Sequence, residues 1–484
     1  MNVPQRKPLT ARVGIMSVGH RVYWDQFEGL LDELLKNKDQ LKEKLVGNGV
    51  EVTDFGMVDG AERAYAVRGQ IQAANIDLLF VDMLTYAPSS TFGVIVRSLH
   101  IPVVLVVLQP LLAMDYAHAT TYTQLCNDNI CAAPEFSGVA VRMGKRPPEV
   151  LIGQLTGDPA VDAEISEWCQ IAKVLHSLAN ARIGLMGHVL EAMLDMHTDP
   201  TAVTAAFGCH VVQCEPDEIM RFYREPDAAA VSKKKAEIHQ FFDSPDPVSD
   251  PITMRLTEKD LNTAARVAVA LDRFIEGKNL DGLAYYYESL PGSEMQTLVT
   301  NMVVGNSLLC AAGVPICGEF DLKTCVAIMI MDRLGIGGSF AEFHPIDFAR
   351  DAVLVGHDGP HHINIADRKP VIRSLKKFHG KPGSGASVEF SIKEGPITIL
   401  CNTIDGNGKF KFVIAEGESL HLPVPPTGNT NTLGKFKPDV RTFLKKWMAE
   451  GPTHHFALGI GHHAKTIKKI ADVLGIDAVV VTGG

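Results

Sequence analysis

The stretch IPVVLVVL, residues 101–108, is apolar throughout and is ended by Gln109-Pro110. It is shorter than the ~20 residues that a bilayer-spanning helix needs, so a membrane segment is not expected. Fully apolar runs separated by helical stretches are typical of strands in a parallel sheet that is covered by helices on both faces. The stretch therefore predicts a buried strand of an α/β domain.

The sequence around this stretch alternates between strand-like and helical patterns, as a doubly wound domain requires. The strand-like runs before it are residues 12–18, 50–58 and 77–83, and the helical patterns are residues 25–45 and 61–74. After about residue 170 the alternation begins again. Its strand-like runs are residues 182–186, 210–214 and 282–287, with a long helical pattern over residues 258–277.

From about residue 340 the pattern changes to strand-like runs joined by turn residues, which predicts antiparallel hairpins. These runs are residues 386–392, 397–403 and 410–415, with turns at residues 393–396 and 405–408. We therefore predict an α/β protein with two doubly wound Rossmann-like domains followed by a β-rich C-terminal domain. The predicted boundaries are 1–170, 171–325 and 326–484.

Composition and charge argue against several classes of protein, among them those that bind nucleic acids and those held together by disulfides. The 484 residues carry a net charge of −10 without a long basic block, which argues against a nucleic acid partner. The first residues lack the pattern of a secretory signal, so we expect a cytoplasmic protein without a membrane partner. Nine cysteines, an odd number scattered through apolar segments, fit reduced thiols better than a disulfide framework.

Histidines are concentrated in the last third of the chain, where ten of the eighteen occur: His344, His357, His361, His362, His379, His421, His454, His455, His462 and His463. Two His-His pairs lie close together in GPTHHFALGIGHH, near the C-terminus. One histidine alone is more often a structural residue than a functional one. The cluster indicates a polar pocket that the protein uses.

Two glutamates stand at positions that favour a site. Glu319, in PICGEFDLKT, follows an apolar run and precedes a helical pattern, at the carboxyl end of a predicted strand where α/β sheets bind ligands. Glu342, in SFAEFHPID, lies between Phe340 and Phe343, and a carboxylate buried among aromatic rings needs a partner charge or a metal. The alternative is that Glu319 only begins a helix and that Glu342 is on the surface.

These motifs have a counterpart in a known family. From Gly19-His20 through GEFDLKT, SFAEF, VLVGHDGP and GPTHHFALG to the end, the chain resembles the L-arabinose isomerase family and, more distantly, the L-fucose isomerases. The resemblance implies an intramolecular oxidoreductase that interconverts an aldose and a ketose. It also implies a homo-oligomer, a trimer or a hexamer, with the site near a subunit contact.

The resemblance further implies a single divalent metal ion held by Glu319, Glu342, His357 and His455. Two carboxylates and two imidazoles leave two octahedral positions open, and mixed oxygen and nitrogen ligation of this kind suits Mn²⁺, with Mg²⁺ or Co²⁺ as alternatives. The same ion would polarise the carbonyl of a bound sugar.

The family also implies that Glu319 and Glu342 are the catalytic pair. One would move a proton between C1 and C2 of the sugar through an enediol, and the other would move a proton between O1 and O2. The sequence does not decide which glutamate is the carbon base.

Substrate-binding positions are carried over in the same way: His20, Tyr86, Asn129, Tyr287, Asp358 and His454. Several differ from the usual pattern, since Val18-Gly19 replaces a Ser-Gln pair before His20 and Asp358 replaces a Met. Such changes alter the hydrogen-bond donors and acceptors that face the sugar, so the substrate need not be L-arabinose. Arg21 is either a contact to an acidic or modified sugar or a solvated surface residue.

Two other classes of function remain open at this point. A doubly wound domain also permits a non-catalytic sugar-binding protein, since a fold does not fix a function. A metal-dependent sugar epimerase or lyase would use the same chemistry at the same site. Nucleotide use is weakly supported, because the chain lacks a GxxxxGK[ST] loop and a complete GxGxxG.

Overall fold

The computed structural model describes residues 2–245, 248, 256–374, 385–421 and 428–482. The chain forms two compact units. One unit is Leu9–Ser177, and the other combines Met1–Pro8 with Leu178–Gly484.

The unit Leu9–Ser177 is built on a five-stranded parallel sheet with the order β2-β1-β3-β4-β5. Its elements are β1 (Arg12–Val18), α1 (Val22–Gln26), α2 (Leu30–Gly47), β2 (Glu51–Val58), α3 (Ala61–Ala74), β3 (Leu78–Met83), α4 (Ser90–Val96), β4 (Val103–Gln109), α5 (Thr121–Leu125), α6 (Ala133–Arg142), β5 (Glu149–Gln154) and the start of α7 (Pro159–Asn180). Strand β3 is buried along its whole length, as expected for a sheet with helices on both faces. The strand order reverses between β1 and β3, where α/β sheets open a crevice at their carboxyl ends.

The second unit begins with another parallel sheet, whose order is β7-β6-β8-β9. Its elements are β6 (Arg182–Met186), α8 (Pro200–Phe207), β7 (His210–Cys214), α9 (Pro216–Arg224), α10 (Ala228–Phe241), α11 (Glu258–Lys278), β8 (Gly282–Tyr285), α12 (Glu294–Thr300), α13 (Val303–Ala311), β9 (Ile316–Cys317) and α14 (Leu322–Arg333). Here too the first strand is in the interior, so the order reverses between β6 and β8.

The rest of this unit is a barrel of antiparallel strands. Six strands close a ring in the order β16-β11-β10-β17-β14-β15, with β15 pairing back to β16. The elements are β10 (Gly337–Asp347), β11 (Ala352–His357), β12 (Val371–Ser374), β13 (Ala386–Ser391), β14 (Gly395–Ile404), β15 (Phe410–Leu420), β16 (Thr430–Phe436), α15 (Val440–Ala449), β17 (Phe456–Ile460), α16 (Ala464–Leu474) and β18 (Asp477–Val480). Strands β13 and β18 add to the ring in parallel.

Helix α14 joins the parallel sheet to the barrel. It contacts β8 and β9 on one side and β10, β14 and β17 on another, and all twelve of its residues are buried. A helix covered all round needs no polar face, which explains its continuous apolar run. The loop before α14 is therefore held at the junction of the sheet and the barrel.

The predicted fold class is confirmed: two parallel α/β sheets precede a β-rich region that closes into a barrel. The boundaries 1–170, 171–325 and 326–484 stay predictions. Among the helices of the described residues, none is both long enough and apolar enough to cross a bilayer.

Candidate metal centre

Glu319 lies in the turn between β9 and α14, at the carboxyl end of the second parallel sheet. The N–H of Phe320 donates to the carbonyl of Tyr285 (2.8 Å), and the side chain of Asp321 caps α14 by accepting the N–H of Thr324 (3.0 Å). Glu319 and Phe320 both have left-handed backbone angles, with φ of 58° and 63°. This unusual turn holds the Glu319 side chain in the interior, where the residue is 6% exposed.

Glu342, His357 and His455 come from neighbouring strands of the barrel. Glu342 in β10 pairs with the residue before His357 in β11, and the residue after His455 begins β17, which pairs with β10 on its other side. Adjacent strands place these three side chains near one end of the barrel. Since α14 packs against β10 and β17, Glu319 reaches that end as well.

The four predicted metal ligands converge. His357 Nε2 lies 3.7 Å from Glu319 Oε1 and 3.9 Å from Glu342 Oε1. His455 Nε2 lies 3.5 Å from Glu319 Oε2. The two imidazole rings are in edge contact, with centroids 5.1 Å apart.

On the Nδ1 side of each imidazole, opposite the glutamates, lies a further carboxylate. His455 Nδ1 is 3.2 Å from Asp321 Oδ2, and His357 Nδ1 is 3.1 Å from Asp358 Oδ1. The hydrogen bond of His455 Nδ1 to Asp321 favours the tautomer that leaves Nε2 as a lone-pair donor, which is the form that binds metals. His357 Nδ1 lies close to Asp358 but without the geometry of a hydrogen bond.

Burial and charge act differently on the two imidazoles. Burial lowers the pKa of His455, and the hydrogen bond to Asp321 opposes this only in part. Burial would also lower the pKa of His357, but the charges of Asp358, Glu319 and Glu342 outweigh it and raise that pKa.

The residues present fit a divalent cation. Glu319 Oε2 and His455 Nε2 are both buried without a hydrogen-bond partner, and buried polar atoms in that state are costly. Ligand atoms of Glu342, His357 and His455 all lie within 4.8 Å of one another, and so do those of Glu319, His454 and His455. A cation between these atoms would satisfy both unpaired groups; the assignment of the four ligands stays a prediction.

Three predicted substrate residues lie around this cluster. Tyr287 follows β8, and its burial together with the charge of Glu319 raises its pKa. Asp358 stands behind His357 as described. His454 borders a cavity of about 370 Å³, which is lined by Asp195, Glu342, Phe343, Trp447, Met448, Gly451, Pro452, Thr453 and His454.

The other three predicted substrate residues belong to the unit Leu9–Ser177 and come together there. His20 and Tyr86 follow β1 and β3, where the strand order reverses, and their rings are in edge contact at 6.0 Å. The side-chain amide of Asn129 donates to the carbonyls of Met83 (2.8 Å) and of the next residue (3.3 Å). Arg21 is exposed.

The remaining histidine pairs differ in setting. His361 is fully buried with both ring nitrogens unpaired, and burial lowers its pKa to about 3, so it is neutral. His362 Nε2 lies 3.0 Å from Asp332. In the second pair, His462 is partly exposed and its Nε2 bonds the Gly417 carbonyl (3.1 Å). His379 lies outside the described residues.

Three residues of the site were not identified from the sequence: Asp195, Asp321 and Lys323. Asp321 and Lys323 stand in the GEFDLKT motif, so their closeness to Glu319 was a signal that could have found them. Asp195 stands in a one-turn segment, Leu194–Met196, between β6 and α8. Nothing in its local sequence marks it.

Comparisons with known proteins find similarity to sugar isomerases. Residues 344–482 match the family described as the L-fucose isomerase C-terminal domain. An L-arabinose isomerase of Shewanella baltica is 23% identical over 470 residues, which are 93% of this chain and 90% of that protein. Those of Shewanella sp. strain MR-4 and of a Nocardioides species are each 25% identical over 72% of this chain, and over 69% and 68% of their own lengths.

Proposed function

We propose that this chain, a divergent member of the L-arabinose isomerase family and hence an isomerase, interconverts an aldose and a ketose with one divalent metal ion, through an enediol intermediate. The observation that carries the proposal is the convergence of Glu319 and Glu342 on the imidazoles of His357 and His455, within 3.9 Å. A protein that only bound a sugar would have no need of two acids and two imidazoles around one buried point.

Glu319, Glu342, His357 and His455 would hold the metal. Their mixed oxygen and nitrogen set favours Mn²⁺, with Mg²⁺ and Co²⁺ as alternatives. When bound, the ion supplies polarisation of the sugar carbonyl and stabilises negative charge on oxygen. The hydrogen bond of Asp321 to Nδ1 of His455 would leave Nε2 of that ring for the metal, and the nearby charge of Asp358 lies on the Nδ1 side of His357.

The two glutamates would carry the protons. One carboxylate removes the proton from the carbon beside the carbonyl and returns it to the neighbouring carbon, while the other moves the hydroxyl proton. Glu319 is buried, whereas the Glu342 side chain is 30% exposed and borders the cavity. Either could be the carbon base, and the unequal exposure gives the two acids different surroundings for the two tasks.

The substrate would be a monosaccharide, and not necessarily L-arabinose. Tyr287, Asp358 and His454 would contact it from the unit that holds the metal ligands, and His20, Tyr86 and Asn129 are proposed as further contacts. We further propose a cytoplasmic homo-oligomer, a trimer or a hexamer; light scattering of the purified protein should give three or six times the 52.6 kDa of one chain.

The test of the reaction is turnover with a defined metal. The purified protein is freed of metal with a chelator and offered a panel of aldoses, L-arabinose included, with and without Mn²⁺ in D₂O. We expect a ketose labelled at C1, formed only with the metal. An aldose labelled at C2 would indicate an epimerase and shorter chains a lyase, and no turnover of any aldose or ketose would leave a binding protein.

The test of the metal site compares two histidines from the same part of the chain. His455→Ala removes a buried ligand and should weaken Mn²⁺ binding, measured by calorimetry, by at least 10-fold. His462→Ala, at a partly exposed ring that lies beside Glu418 and not beside the candidate metal ligands, should leave it unchanged. Equal Mn²⁺ affinity in both histidine variants would contradict the site.

Glu319→Gln should lower kcat by about 10²-fold or more, since that is the usual contribution of a general acid–base group.

A further inference from the structure

The neighbouring residues His454 and His455 are held in the same way by two different carboxylates. Their rings touch, with centroids 3.9 Å apart. Asp321 Oδ2 stands 3.2 Å from Nδ1 of His455, and Asp195 Oδ2 stands 2.6 Å from Nδ1 of His454. The His455 ring is fully buried, while the His454 side chain is about one third exposed and borders the cavity.

Asp195 contacts His454 through two hydrogen bonds to one oxygen. The backbone N–H of His454 donates to Asp195 Oδ2 (2.9 Å), and Nδ1 of the His454 ring makes the second hydrogen bond to the same oxygen (2.6 Å). Two donors on one carboxylate oxygen restrict both the position of the loop and the rotation of the ring. In that arrangement Nδ1 carries the proton and donates it to Asp195, and Nε2 is the ring nitrogen that can accept a hydrogen bond from another group.

A buried lysine holds the segment that carries Asp195. Lys323 is 1% exposed, and its Nζ donates to the carbonyls of Asp195 (3.0 Å) and Met196 (3.2 Å). The same Nζ lies 4.0 Å from Asp321 Oδ1. One ammonium group therefore ties the Leu194–Met196 segment to the carboxylate that orients His455.

We propose that Asp195 is a positioning residue of the isomerase site, which holds the His454 imidazole with Nε2 free toward the cavity so that this nitrogen engages a hydroxyl of the sugar. The inference rests on the proposed function, because the cavity that His454 shares with Glu342 is where the sugar would lie. Asp195 also borders this cavity, and in this proposal it acts through His454.

The experiment is a double-mutant cycle with the Mn²⁺-loaded protein. Asp195→Asn, Asp195→Ala, His454→Asn and the combination of Asp195→Ala with His454→Asn are compared by kcat/KM on the aldose that the wild type converts. A hydrogen bond to a charged carboxylate is worth about 10- to 100-fold in an equilibrium constant, and we expect a loss of kcat/KM of that size for Asp195→Ala. Because Asp195 acts mainly through the His454 ring, the double variant should lose much less than the product of the two single losses. Multiplied losses would overturn the proposal.

Asp199→Asn is the matched control. Asp199 lies in the same connection and caps α8 by accepting the N–H of Thr201, without contact to His454. It should leave kcat/KM unchanged. Mn²⁺ affinity should also be unchanged in Asp195→Ala. A 10-fold weaker affinity would make His454 a metal ligand instead, in line with its closeness to Glu319 and His455, and would overturn the proposal.

A second readout does not need turnover, so that a failure of this inference can be told from a failure of the proposed function. In ¹⁵N-histidine spectra, the ring whose signal disappears in His454→Asn should be protonated at Nδ1 in the wild type. It should lose that single form in Asp195→Ala and keep it in Asp199→Asn. A ring already protonated at Nε2 in the wild type would refute the positioning role, whether or not a sugar is converted.

Discussion

Several buried charged residues in the described part of the chain have a partner of opposite charge. Lys323 lies near Asp321, and Arg373 lies 2.8 Å from Glu389. Asp82 in β3 is different, because the hydrogen bond that it receives comes from the neutral hydroxyl of Ser17 (3.0 Å). Burial raises the pKa of Asp82 to about 7, although the Ser17 hydroxyl opposes the shift. A carboxyl group that prefers to be neutral is a weak point of the sheet at neutral pH.

We expect Asp82→Asn to stabilise the protein at pH 8 and to have little effect at pH 4. The native pKa of about 7 exceeds the unfolded value of about 4, so the stability that Asp82 contributes is complete below pH 4 and is lost as the pH rises to 7. The amide keeps an acceptor for Ser17 and never ionises. Three pKa units correspond to about 4 kcal/mol at most, which urea unfolding at the two pH values would detect.

Asp158→Asn is the control of opposite sign. The backbone N–H groups of Gln154 and Val161 lower the pKa of Asp158, so its charged form stabilises the fold above the unfolded pKa. That variant should lose stability at pH 8 rather than gain it. A gain in both variants would point to net charge instead of burial.

At the scale of elements, the close approach of α14 and β10 depends on glycine. Gly338, the second residue of β10, has φ of 107°, and a Cβ there would lie 2.8 Å from the carbonyl oxygen of Ile328 in α14. That oxygen belongs to the helix backbone, which cannot move aside by a side-chain rotation. The close contact brings the strand that carries Glu342 against the helix that follows Glu319.

Gly338→Ala should therefore destabilise the protein by about 3 kcal/mol or more, since it combines an unfavourable φ with a backbone clash. Gly335→Ala is the matched comparison: Gly335 has φ of 76°, but a Cβ there meets nothing within 4 Å. It should cost about 1 kcal/mol, from the backbone angle alone. Chemical unfolding of both variants measures the difference, and equal losses would show that the clash relaxes.

The two parallel sheets also begin alike. β1 starts with RVGIM and β6 with RIGLM, each followed shortly by Gly-His. In each sheet, the backbone N–H of the arginine that begins the first strand donates a hydrogen bond to an Asp side chain. Arg12 donates to Asp77, and Arg182 donates to Asp281. A likeness of five residues is too short to stand out in the sequence, so it is recognised after the two strands have been located.

At the scale of the whole molecule, the four candidate metal ligands all belong to the unit that contains the barrel. The unit Leu9–Ser177 has a core of its own around β1, β3 and β4. A ligand stabilises the state that binds it by RT ln(1 + [L]/Kd), about 2.7 kcal/mol at 100 times Kd. Metal binding should therefore act on one unit more than on the other.

We expect Mn²⁺ at 100 times its Kd to slow amide hydrogen exchange in α14 and β10, by up to about 100-fold where exchange requires opening of the metal-binding state. Peptides from α3 and β5 should change little. Mg²⁺ at the same multiple of its own Kd is the control and should give the same pattern. Equal slowing in both units would mean that they unfold together.

The sequence alone determined the kinds of element and their order. Apolar runs and turn residues are local signals, so the strand at residues 101–108, the change to hairpins after residue 340 and the parallel sheets could all be predicted. The four candidate metal ligands came from the resemblance to the L-arabinose isomerase family, because each stands in a short motif that matches the family, and their assignment stays a prediction.

Only the tertiary structure decided which distant side chains meet. The closure of the barrel by β15 and β16, and the contact of Asp195 with His454 across 259 positions, have no local pattern. Such contacts follow from the packing of α14 between sheet and barrel, where burial fixes the backbone and leaves each buried polar group to pair with whatever lies within hydrogen-bond distance. Periodicity reports which face of an element is buried, but not what that face is buried against.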